Sequence, residues 1–92
     1  MTATATVVVA SASGLHARPA SLFAQTVART GHAVTIRLTA GDKPAVNAAS
    51  LIALLTLGAG HGAEVELDVT GEREDEVLAE LRDLLATDLD AA

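Results

Sequence analysis

Residues 63–70, AEVELDVT, alternate Val65, Leu67 and Val69 with Glu64, Glu66 and Asp68. That period of two belongs to a strand with one face buried and the other in water. A chain holding such a segment must build a sheet that is covered on one side only. The period recurs in residues 33–39, AVTIRLT, where Val34, Ile36 and Leu38 alternate with Thr35, Arg37 and Thr39. Residues 3–10, ATATVVVA, are rich in Thr and Val, whose β-branched side chains suit a pleated surface, and predict a first strand. AGDK reads as a hairpin turn after residue 39. A short return strand would then hold Ala45 and Val46, with Pro44 confined to its start or to an edge.

Three segments carry the helical period instead. From Pro19 onward, Ala20, Leu22, Phe23 and Val27 recur at helical spacing until Thr30 and Gly31. Pro19 suits a first helical turn, where a missing N–H costs nothing, and Gly31 suits the position just past a helix end. In SLIALLTLGAG, Ser50 is placed to cap a short helix that Gly58 closes. The last segment opens with Glu72, Glu74, Asp75 and Glu76, favourable at a helix N-terminus, and continues with Val77, Leu78, Leu81, Leu84 and Leu85 on one face. The expected order is βαββαβα. It predicts an α+β two-layer open-faced sandwich: a four-stranded, mainly antiparallel sheet covered on one face by three helices. Residues 1–92 form one domain in this reading, with residues 88–92 a frayed acidic tail.

Composition narrows the function. A chain of 92 residues holds one core and buries roughly 60 to 65% of its unfolded surface. Phe23 is its one aromatic residue, so that core is aliphatic. Twelve acidic against six basic residues, a net charge of −6, oppose a grip on nucleic acid. The absence of cysteine excludes disulfides, thiolate metal sites and thiol nucleophiles. The N-terminus lacks the basic start and apolar core of a signal peptide, and no run approaches the ~18 apolar residues of a membrane span. A cytoplasmic protein with no membrane insertion is expected. There is no Gly-x-x-x-x-Gly-Lys nucleotide loop, and no carboxylate or histidine spacing suited to a metal, so neither cofactor nor metal is expected.

GLHARPAS, residues 14–21, sets His16 where the first strand region gives way to the first helix. If the helix begins just after His16, the imidazole lies beside backbone N–H groups without intrahelical partners and the positive end of the macrodipole. Such a place receives anions, and its field favours the neutral ring, whose free nitrogen can attack phosphorus. Arg18 adds a planar cation suited to phosphate oxygens, and Pro19 stiffens the turn. A histidine near a helix start serves as readily as a cap or a solvated surface residue, so HARP alone leaves both roles open.

The stretch GLHARPAS, together with VNAASLIALLTLGAGHGAEVEL and the βαββαβα order, resembles the HPr family of phosphocarriers. These belong to the bacterial phosphoenolpyruvate-dependent sugar phosphotransferase system. The resemblance runs from about Thr6 to Leu85 on two separated motifs with the expected spacing. It implies that His16 accepts a phosphoryl group on its δ1 nitrogen from enzyme I, charged by phosphoenolpyruvate, and passes it to a sugar-specific IIA component. Arg18 would then pair with phosphate and with partner carboxylates, and the backbone amides of His16 and Ala17 would receive phosphate oxygens. The protein would be a stoichiometric, monomeric carrier rather than an enzyme.

Ser50 occupies the position of a serine that a dedicated HPr kinase phosphorylates in some bacteria. Capping is the reading from the residues themselves. The basic neighbours usual in the family are replaced here by Ala49 and Ala53. The second helix has too many apolar residues to bury on one side. Leu54 and Leu57 are assigned to the core, leaving Leu51, Ile52 and Leu55 to join Ala17, Arg18 and Ser21 in a docking surface for enzyme I and IIA proteins. Two rival readings keep the fold: a carrier in a regulatory or dihydroxyacetone-type phosphorelay, and a docking-only regulatory module. His32 and His61, each beside a glycine, are expected to be solvated loop residues, and EREDE a solvated helix start.

Overall fold

The computed structural model describes residues 2–11, 14–15 and 17–87, without the side chain of Ala17. Its elements are β1 (Thr2–Val8), α1 (Ala17–Thr30), β2 (Ala33–Leu38), β3 (Val46–Asn47), α2 (Leu51–Leu57), β4 (Glu64–Thr70) and α3 (Glu74–Leu85). The order is the βαββαβα read from the sequence. The four strands form one sheet in the order β1-β4-β2-β3, and every pairing is antiparallel.

The register puts like with like. Ala3 lies opposite Val69 and Val69 opposite Val34; Ala5, Leu67 and Ile36 form a second row, and Val7, Val65 and Leu38 a third. These rows face the helices and join Phe23, Val27, Leu54, Leu57, Leu81 and Leu85 in one buried cluster. The opposite rows carry Thr4, Asp68 and Thr35, then Thr6, Glu66 and Arg37. On this open face the Thr4 hydroxyl donates to Asp68 Oδ1 at 2.7 Å. Arg37 forks onto Glu66, from Nε to Oε1 at 3.2 Å and from Nη2 to Oε2 at 3.0 Å. Alternation along each strand thus produces the one-sided sheet that residues 63–70 demanded. α3 packs on β1 and β4, and α1 packs on α2 and α3.

Several boundaries differ from the sequence reading, each for a local reason. β1 stops at Val8, although Val9 still exchanges backbone bonds with the chain before β4, donating to the Ala63 carbonyl at 2.9 Å; the chain changes partner at Ala10, whose amide donates to the Leu85 carbonyl at 3.1 Å. α1 starts at Ala17, which puts Pro19 third in the helix, still among the N–H groups that lack an intrahelical acceptor. β3 is Val46–Asn47 rather than Ala45 and Val46, since Asn47 ends it by accepting from the Ala49 amide at 3.0 Å. α3 begins at Glu74, two residues beyond the first acidic residue, because Arg73 takes a left-handed conformation (φ 56°) at its cap. The tail assigned to residues 88–92 lies outside the described residues. No helix among the described residues is long and apolar enough to cross a membrane.

Candidate functional site

His16 lies outside the described residues, so the site is defined by what flanks it in the chain. On one side stands Gly14–Leu15. The amide of Gly14 donates to the Ser11 carbonyl at 2.9 Å and that of Leu15 to the Ala59 carbonyl at 2.8 Å, and the Leu15 side chain is fully buried. Gly14 has φ 71°, and a Cβ built there would lie 2.6 Å from the Ala59 oxygen and 2.7 Å from Gly60 Cα. Only glycine permits both that conformation and that approach. The chain entering the first helix is thereby fastened to the loop between α2 and β4.

On the other side stands α1. Its first residues are Ala17, Arg18, Pro19 and Ala20, with no acidic residue in the first turn. Pro19 has no N–H, which leaves the amides of Ala17 and Arg18 as the first-turn donors without intrahelical acceptors. Pro19 and Ala20 are buried while Arg18 is exposed, so the helix start is anchored and its cation is free to meet a ligand. Positive dipole end and guanidinium act in the same direction, toward an anion. Ser21, one turn on, is half-buried, and its Oγ accepts from Gln25 Nε2 at 3.1 Å.

α2 behaves as its ends predict. Ser50 is extended (φ −100°, ψ 115°), its Oγ accepts from the Ala53 amide at 3.2 Å, and Gly58 closes the helix in the left-handed region. Replacing Ser50 by Ala is expected to cost about 1 kcal/mol, read from urea unfolding, because the Ala53 amide loses its acceptor. Leu54 and Leu57 are core, whereas Leu51, Ile52 and Leu55 are 40%, 75% and 41% exposed. This apolar patch sits on the helix that packs against α1, which carries Arg18 and Ser21.

The two remaining histidines part company. His61 is exposed, as expected for a loop residue. The expectation for His32 is corrected: its ring is half-buried, with Nδ1 2.8 Å from the Thr30 carbonyl and Nε2 hydrogen-bonded to the Glu72 carbonyl. Neither this bridge nor the seat of Gly14 was foreseen from the sequence. Gly71, directly before Glu72, was the available sign of close packing, and the glycines of GAGHG were the sign for the loop. Among the described residues, no three His, Asp or Glu side chains stand together as metal ligands would.

An antiparallel four-stranded sheet covered on one face by three helices, the first of them opening on Arg18 and Pro19, places the chain in the class of small α+β open-faced sandwiches. The family model described as "PTS HPr component phosphorylation site" matches residues 3–87, and the chain belongs to the HPr family of phosphotransferase-system phosphocarriers. It is similar to the phosphocarrier protein HPr of Streptomyces coelicolor, 44% identical over 79 residues that cover 86% of this chain and 83% of that one. The phosphocarrier protein NPr of Escherichia coli is 35% identical over 79 residues, 86% of each chain. The crystal structure of HPr from Bacillus anthracis superposes with a TM-score of 0.83 at 30% identity, covering 91% of this chain and 96% of that one.

Proposed function

We propose that this protein carries a phosphoryl group on the δ1 nitrogen of His16, taking it from phosphoenolpyruvate-charged enzyme I and delivering it to a sugar-specific IIA component. The supporting observation is the match of the phosphorylation-site family model across residues 3–87, which contain one histidine in an Arg-Pro context, His16. Transfer is a displacement at phosphorus: the Nδ1 lone pair of a neutral imidazole forms the new N–P bond as the bond to the donor atom breaks. Its electron pair leaves with the donor, and Nε2 keeps its proton. Arg18 and the amides of His16 and Ala17 would hold the phosphoryl oxygens. The protein acts once per phosphoryl group and regenerates only by discharge, which makes it a carrier rather than an enzyme, working in the cytoplasm as a monomer.

Docking is assigned to Ala17, Arg18, Ser21, Leu51, Ile52 and Leu55. A small apolar patch beside one strong cation suits brief encounters with successive partners. Ile52 tests it with little risk to the fold, being 75% exposed. Ile52→Glu is expected to change stability by no more than about 0.5 kcal/mol. It should lower kcat/KM for transfer from enzyme I about tenfold, a loss of roughly 1.4 kcal/mol in transition-state stabilisation. Unchanged transfer would remove Ile52 from the interface.

The direct test is incubation with phosphoenolpyruvate and enzyme I, followed by mass and ³¹P NMR. An acid-labile, base-stable phosphate is expected, and its absence would overturn the proposal. Likeness to NPr as well as to HPr leaves the receiving protein to be identified by discharge: a sugar-specific IIA protein under this proposal, a regulatory or dihydroxyacetone-type component under its nearest rival. Ser50 caps α2 through the hydroxyl that an HPr kinase would modify. Its role as a phosphosite is open to the same mass measurement with that kinase.

A further inference from the structure

Each neutral imidazole has one N–H and one bare lone pair, so it can donate one hydrogen bond only. The ring of His32 nonetheless faces a carbonyl oxygen with each nitrogen: Thr30 O from Nδ1 and Glu72 O from Nε2. A carbonyl has no proton to offer. Both contacts are therefore satisfied together only by the imidazolium, which donates from both nitrogens. The two acceptors are 42 residues apart and belong to different junctions, the α1–β2 turn and the β4–α3 turn.

The surroundings are built for the ring. The His32 amide donates to the Thr30 hydroxyl at 3.2 Å, and that hydroxyl donates to the Val27 carbonyl at 2.7 Å, so the backbone below the imidazole is held by the end of α1. From the other side comes Gly71, with φ 142°; a Cβ there would lie 2.6 Å from His32 Cδ2. The ring thus rests against bare backbone at Gly71, and Arg73, two residues on, takes the left-handed conformation that turns the chain into α3.

We propose that His32 is a protonation-dependent latch that ties the α1–β2 turn to the β4–α3 turn when charged and releases one of its two bonds when neutral. Its protonation is favoured first by the Glu72 carbonyl, then by the Thr30 carbonyl, with the Glu72 and Glu74 carboxylates adding to them against partial burial, so its pKa lies above the usual 6.5. The basic residues at the same junctions are Arg29, in the last turn of α1, and Arg73, at the cap of α3. β2 begins with Ala33, and its one basic residue, Arg37, pairs with Glu66 on the open face of the sheet.

A raised folded-state pKa fixes the sign. The latch's stabilisation is complete below the unfolded pKa of about 6.5 and disappears as pH rises through the folded value. The interval in which the protein loosens at this corner therefore begins near neutrality. The inference concerns the end of α1 opposite His16 and stands whether or not His16 carries phosphate.

The test is an NMR pH titration of the full chain with ¹⁵N-labelled histidine. Protons on both ring nitrogens of His32 at pH 6 are expected, with a midpoint above the usual 6.5. The backbone amides of His32, Gly71, Glu72 and Arg73 should titrate with that same midpoint, since one proton joins both turns. Thermal unfolding supplies a second reading: the Tm advantage of the native chain over His32→Gln should shrink as pH rises from 6 to 8.5. A neutral His32 ring at pH 6, or amides at 71–73 that ignore its titration, would overturn the latch. If His32→Gln folds poorly, the native-chain titration decides alone.

Discussion

His16→Ala will take up no phosphoryl group from phosphoenolpyruvate and enzyme I, where the native chain acquires one that is lost in acid and kept in base. The nucleophile is a single ring nitrogen, and no neighbouring group replaces it: there is no cysteine, and His32 and His61 lack the Arg-Pro context. Removing it should therefore abolish acceptance rather than slow it, a loss far greater than the 10²–10⁴-fold typical of deleting a general base. Mass spectrometry of both proteins after the same incubation reads the result. An adduct persisting in His16→Ala would move the acceptor elsewhere and overturn the proposed function. Retained far-UV circular dichroism and an unchanged unfolding midpoint would show that chemistry, not folding, was lost.

Gly14→Ala should show the largest stability effect of any single methyl added to this protein. The added carbon meets the Ala59 oxygen at 2.6 Å and Gly60 Cα and C at 2.7 and 2.8 Å, all backbone, and it meets them from a residue at φ 71°. The left-handed conformation alone costs about 1–2 kcal/mol for a residue with Cβ. Forcing apart two packed backbones adds about 1–3 kcal/mol. The sum is about 3 kcal/mol, or roughly 10–25 °C in Tm for a domain of this size. Gly31→Ala is the internal comparison, because Gly31 has nearly the same φ, 70°, and nothing within 4 Å of the added carbon. It should lose only about 1 kcal/mol in urea unfolding. Equal losses in the two variants would mean that the loop before His16 does not rest on Ala59 and Gly60. Where Gly14→Ala stays folded at low temperature, slower phosphoryl uptake is expected, since the Leu15–Ala59 hydrogen bond that holds this loop would be strained.

Much of the fold was legible because short-range pattern controls it. Alternation in residues 33–39 and 63–70 predicted two strands to within a residue or so, and Ser50 with Gly58 marked both ends of α2. The apolar excess of α2 correctly divided Leu54 and Leu57, which are buried, from Leu51, Ile52 and Leu55, which are not. Less was legible where the chain leaves a regular element. The start of α3 was placed by its charges, yet it is set by the left-handed Arg73, a residue type with no preference for that conformation. His32 was misread because its glycine neighbour suggested an open loop, while its partner Glu72 stands 40 residues away and accepts through its backbone.

What the sequence determined by itself is the set of elements, the sidedness of the sheet and the motif by which the chain resembles its family. Each depends on which side chains recur at which interval, and those are written in the letters. Only the tertiary structure decided that β4 lies between β1 and β2, that Gly14 rests on Ala59 and Gly60, and that His32 spans two turns. These contacts are made largely to amides, carbonyls and Cα atoms. Every residue but proline carries the same backbone donor and acceptor, so no letter marks which carbonyl will be met. The choice falls to the packed core, which brings residues 14, 59 and 60 together at one corner of the fold and residues 32, 71 and 72 at another.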